Sequence, residues 1–141
     1  MTVFQHWQEV PESYWKWPSF APREFACKAD GSLIVEPEFM ERLQLLRFDL
    51  GFPFIINSGY RTPAYNAAVS KTGLTGPHTT GRAVDIRVYG GHAFDLGDAA
   101  KAYGFTGKGE KGHGPHEGRF IHLDDLPDAP GRPRPWSWTY P

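Results

Sequence analysis

The chain has 141 residues, 40% of them hydrophobic and 22% charged, with a formal net charge of -1. A chain of this length buries roughly 68–70% of its unfolded surface, enough for one core, and the balance excludes a disordered polymer. The charge offers no field for nucleic acid, no run reaches the roughly 18 apolar residues of a membrane span, and a single cysteine, Cys27, excludes an internal disulfide.

Sixteen glycines and thirteen prolines point to many turns and few long helices. Residues 1–22 carry Trp7, Tyr14, Trp15, Trp17 and Phe20 between prolines, and read as an irregular arm packed on the domain by its rings. The opening MTVFQHWQEV has no basic region followed by an apolar one. The expectation is synthesis in the cytoplasm without a signal peptide, with release by outside help.

Residues 36–50 give the clearest helix. Pro37 suits an early helical position, Phe39, Leu43, Leu46 and Leu50 recur at three- and four-residue steps, and Gly51 and Pro53 end the run. Residues 52–61 read as a short strand entering a loop, and 62–71 as a short helix capped by Thr62. Residues 73–81 read as loop, 82–88 as an alternating strand, and 91–104 as a second helix. A glycine- and charge-rich loop is expected over 106–118, then a strand over 119–125. A tail rich in proline and tryptophan closes the chain at 127–141, and the whole of 1–141 is expected to be one domain.

In the strand at 82–88, Ala83, Asp85 and Arg87 share one face. In the strand at 119–125, Phe120, His122 and Asp124 share one face. If the two strands pair, Asp85 and His122 are neighbours. Buried among apolar residues, an acid and a histidine need partners. His78, seven residues before Asp85 in a loop, can fold over the same face. Two histidines and one carboxylate with a fourth position open form the ligand set of a catalytic zinc site. Spacing alone leaves a plain alternative open: a loop histidine, and an ion pair of Asp85 with Arg87 or Arg61.

The strings SGYRTPAYNAAV (58–69), GPHTTGRAVDI (76–86) and FIHLD (120–124) resemble the zinc D-Ala-D-Ala carboxypeptidases. More broadly they are similar to the metallopeptidases that include phage L-alanyl-D-glutamate endopeptidases and the hedgehog signalling domain. The likeness covers about residues 20–140. It implies Zn2+ held by His78, Asp85 and His122. It implies Arg61 at the oxyanion of a scissile carbonyl, a role suited to an always-charged fork of donors, with Ser58, Tyr60 and Asn66 shaping the loop around it. The implied fold is α+β, a small antiparallel sheet bearing the zinc site on one face with helices packed on the other.

A proton carrier is also required. In relatives it is an acid a few residues before the last histidine ligand. Here Arg119 stands three before His122 and Phe120 two before, so Glu117, five before, is the expected general base, with Asp124 and then Glu110 behind it. Asp124 could instead orient a ligand. His113 and His116 could line the cleft, and Trp136 and Trp138 could wall it. The expected substrate is peptidoglycan stem peptide or muropeptide, met by a monomer that binds neither nucleic acid nor membrane. The expected reaction removes a terminal D-Ala. An endopeptidase (phage lysin) and a non-catalytic zinc-containing wall-binding or phage structural module are the alternatives.

Overall fold

A computed structural model describes all of residues 1–141. The apolar steps of residues 36–50 form a helix, α2 (Pro37–Leu50), which buries Phe39, Met40, Leu43 and Leu46. Three shorter helices accompany it: α1 (Pro22–Phe25), α3 (Pro63–Val69) and α4 (Gly90–Ala99). The Thr62 hydroxyl accepts the Tyr65 backbone N–H at the start of α3, as its sequence position leads one to expect.

Seven strands form two sheets. β1 (Thr2–Phe4) and β2 (Leu33–Val35) pair antiparallel. The main sheet has the order β3 (Ile55–Ser58), β4 (Ala83–Arg87), β6 (Phe120–Asp124), β5 (Gly107–Lys111), β7 (Trp136–Thr139). Its first four strands are antiparallel, and β7 adds to the edge parallel to β5. The register sets Asp85 opposite His122 and Ser58 opposite Asp85.

Alternation along β4 and β6 separates two faces. Val84, Ile86, Ile121 and Leu123 point into a core of 20 buried residues shared with α2 and with Leu96 of α4. Asp85, His122 and Asp124 point the other way. The α+β architecture with helices on one face and the polar constellation on the other is thus the one expected.

Two segments differ from their sequence reading. Residues 106–118 contain β5 where a loop was expected, and the tail contains β7. The arm at 1–22 is also more ordered than an irregular strap: it supplies β1, a 3-10 turn at Trp7–Glu9 and the first residue of α1.

Candidate metal centre

His78 sits in a 3-10 turn, Pro77–Thr80, whose cap leads straight into β4. That turn is tied to the Ser58–Arg61 segment by two bonds. The Arg61 N–H donates to the His78 carbonyl at 2.9 Å, and His78 Nδ1 lies 2.7 Å from the Gly59 carbonyl oxygen. A carbonyl only accepts, so Nδ1 carries a proton and Nε2 is turned inward. Nε2 lies 3.2 Å from Oδ1 of Asp85.

His122 is arranged in mirror fashion. Its Nε2 lies 2.8 Å from Oδ2 of Asp124, and its Nδ1 lies 3.1 Å from the same Oδ1 of Asp85. The Asp124 carboxylate also accepts both arms of the Arg134 guanidinium. Nε2 of His122 therefore donates, and Nδ1 faces inward.

His78 Nε2, Asp85 Oδ1 and His122 Nδ1 all lie within 4.8 Å of one another. With neutral rings, all three present lone pairs to one another in a site where both histidines are buried. Only protonation of both rings, or a cation among the three atoms, relieves that repulsion. The set fits zinc. Two imidazole nitrogens and one carboxylate oxygen are its usual catalytic donors. Donors at about 2.0–2.2 Å from such an ion stand roughly 3.3 Å apart, close to the 3.2 and 3.1 Å from Asp85 Oδ1 to the two ring nitrogens. The far nitrogen of each ring already has the carbonyl or carboxylate partner that fixes the tautomer of a ligand histidine.

The charges around the trio favour an ionised Asp85 and Asp124. Burial pushes the Asp85 carboxyl up, but the charge of His78 and the bonds from both rings outweigh it and hold it well below the usual carboxylate range. Burial pushes His122 down, and its bonds to Asp124 and Asp85 more than reverse that. Asp124 is also pushed up by burial, yet His122 and Arg134 hold it down at about 2.

Arg61 lies beside the trio. Its Nε donates to Ser58 Oγ (3.0 Å), Nη1 to Asn66 Oδ1 (3.1 Å) and Nη2 to Asp85 Oδ2 (3.5 Å). Asn66 is fully buried and spends its own amide on Thr72 Oγ1 and the Gly73 carbonyl. Three of the five guanidinium donors are used, and two remain. The trio and Arg61 line one cleft of about 900 Å³, walled by Phe120, Trp136, Trp138 and Tyr140 and edged by Lys71 and Arg132.

The expected proton carriers are not brought to this cleft. Glu117 is exposed in a 3-10 turn (His116–Gly118) and lines a separate cleft with Phe52, Arg87 and Tyr89. Glu110 opposes Ile121, on the far face of the sheet from His122, and lines a third depression beside α4. Asp124 stands behind His122, fully buried, with both oxygens engaged, so its place is that of a residue orienting the ring. His116 stacks on Tyr89 away from the trio, and His113 reaches only the Tyr140 carbonyl. Sequence reading passed over Tyr140 and Arg134. The alternation of WSWTY, which puts Trp136, Trp138 and Tyr140 on one face, was the available signal for the first; for the second it was the tail RPRPWSWTY, whose arginine-tryptophan ending resembles that of similar peptidases after their last ligand.

A family model described as Peptidase M15 matches residues 18–124. No curated protein and no solved structure matches the chain significantly. The matched span holds all three converging donors and Arg61, and extends over well more than half of the sequence. The chain belongs to the peptidase M15 family, metallopeptidases related to the zinc D-Ala-D-Ala carboxypeptidases.

Proposed function

We propose that His78, Asp85 and His122 hold a zinc ion and that the chain hydrolyses peptide bonds of the peptidoglycan stem. The observation that carries this reading is the convergence of three lone-pair atoms on one point at the floor of a cleft. Zinc bound there polarises a carbonyl and makes water acidic near pH 7.

The residues around it have assignable tasks. The two free N–H groups of Arg61 receive the carbonyl oxygen as charge develops on it. Phe120, Trp138 and Tyr140 shield the reacting bond from bulk water. With Glu117 in another cleft, the proton donor is Tyr140. The scissile C–N bond breaks and the water oxygen joins the carbonyl carbon. The leaving nitrogen takes a proton from the Tyr140 hydroxyl, which regains one from the water.

Lys71 and Arg132 edge the cleft, and neither has an acidic partner within 4.0 Å. Two such cations favour a substrate that ends in a carboxylate, and hence removal of a terminal D-Ala rather than an internal cut.

Mass spectrometry of purified muropeptides treated with zinc-loaded protein tests this. Loss of one alanine is the expected result. A severed stem would make the chain an endopeptidase. Unchanged muropeptides with a full equivalent of zinc bound would make it a non-catalytic zinc module. Less than about a tenth of an equivalent of zinc would sink the metal site itself.

A further inference from the structure

We infer that the C-terminal segment Arg134–Trp138, which lies beyond the last residue of the family match, is built into the metal centre and positions His122. The inference rests on reading His78, Asp85 and His122 as metal ligands.

It starts from strand β5, GKGEK. Gly107 and Gly109 oppose Asp124 and His122 of β6, so they share the face of the trio and leave it bare. The bareness is used. A Cβ on Gly107 would run into the Asp124 carboxylate and lie 2.6 Å from Arg134 Nε. A Cβ on Gly109 would run into the indole of Trp138. Side chains of the tail thus reach across β5 to β6, through space that any other residue would fill.

What reaches across is a closed loop of contacts. Arg134 grips Asp124 with two bonds, Nε to Oδ1 at 2.9 Å and Nη2 to Oδ2 at 2.8 Å. Asp124 holds His122 Nε2 at 2.8 Å. The guanidinium lies over the Trp138 ring, 5.2 Å from its centroid. The Trp138 ring in turn lies 5.3 Å from the His122 ring. Both side chains of the Asp124–Arg134 pair are almost wholly buried. A two-point fork between planar groups fixes orientation as well as distance. With Asp124 pinned from behind, the His122 ring is held at its far nitrogen and on one flank, and its near nitrogen is aimed at Asp85. Arg134 and Trp138 are therefore positioning residues. Partners of this kind, when removed, typically cost 10–100-fold in metal affinity.

The test is zinc affinity of the full chain, measured by competition with a chromophoric chelator, together with the visible spectrum of the cobalt-substituted protein. Arg134→Gln is expected to weaken zinc binding by about 10–100-fold and to shift the cobalt bands. Arg134→Lys, which keeps the charge but loses the fork, should fall between it and the parent. Gly109→Ala touches no charged group and displaces the Trp138 ring, so it should also weaken zinc several-fold. That variant carries the test if Arg134→Gln does not fold. Parent-like affinity and spectra in both Arg134→Gln and Gly109→Ala would overturn the inference while leaving the metal site standing. Failure of the parent chain to bind zinc would instead sink the reading on which it rests.

Discussion

Tyr140 differs from the other cleft residues in the company its hydroxyl keeps. Burial pushes the phenol above the ordinary tyrosine range, and the Asp85 charge adds to this, while Trp138 and Arg61 pull the other way. Like any tyrosine the group is protonated at neutral pH, so it has a proton to give and does not act as a base there. Tyr140→Phe should lower kcat on muropeptide by about 100-fold, the lower end of general acid–base contributions, with little change in zinc content. Glu117→Gln should leave kcat within about twofold, since Glu117 lines a different cleft. Steady-state release of alanine decides between them. A large loss in Glu117→Gln with none in Tyr140→Phe would reverse the assignment. The distance of Glu117 from the trio has a simple cause. A strand advances about 3.3 Å per residue, so the positions between His122 and Arg119 alone carry the chain roughly 10 Å from the ligand. Closeness in sequence to a strand residue is distance in space unless the chain turns back.

At the scale of elements, what sequence made legible was whatever alternates. β4 and β6 each carry apolar residues at every second position, so their faces, and with them Asp85 and His122, could be assigned before any pairing was known. β5 escaped because its pattern is glycine against charge, without an apolar face. The reason lies in its neighbours: Gly107 and Gly109 are bare for the sake of Arg134 and Trp138, and no periodicity within residues 107–111 encodes that. A second contact between elements was also invisible in sequence. Arg82, at the entry to β4, forks onto Asp125 just past β6 (2.8 Å twice) and reaches Glu36 at the start of α2 (3.0 Å). Asp125 is nearly inaccessible. Burial pushes its carboxyl up, and Arg82 offsets that only in part. An acid whose folded pKa exceeds its unfolded one favours folding below the unfolded value and loses that advantage as pH rises, so Asp125 depends on Arg82 most at neutral pH. Arg82→Ala should cost about 2–3 kcal/mol at pH 7, less than a fully buried pair because Arg82 is partly exposed. The deficit should shrink as pH falls and Asp125 protonates. Urea unfolding of both proteins at pH 7 and pH 4.5 measures it, and an equal deficit at both would show that lost packing, not charge, is the cause.

Over the whole molecule, both ends of the chain close onto what lies between them, in different ways. No helix is long and apolar enough to cross a membrane, and the apolar surface goes instead into one cluster that includes the N-terminal arm. Trp17, one residue before the family match begins, is 4% exposed and packs edge-on against Trp15 at 4.9 Å. Phe20 meets Phe25 and Phe54 in the same layer. This burial is the ground for proposing that residues 1–141 form one domain. Trp136, on the tail, is 54% exposed and serves the cleft rather than the core. The two tryptophans should therefore respond differently to removal. Trp17→Ala opens a cavity of ring size, a change that costs about 3–5 kcal/mol in well-packed cores. The lower end is expected here, because the Trp17 Nε1–H is buried without a hydrogen-bond partner, and deleting an unsatisfied donor returns about 1–3 kcal/mol. Trp17→Phe, which discards that donor but keeps a ring, should cost about 1 kcal/mol or less. Trp136→Ala should stay within about 0.5 kcal/mol, the usual range for surface substitutions. For a chain of this size a loss of about 3 kcal/mol lowers Tm by roughly 10 °C, so thermal melts set Trp17→Ala clearly apart from the other two variants. A Trp17→Ala protein that melts with the parent would mean that the arm rests on the domain without contributing to its core.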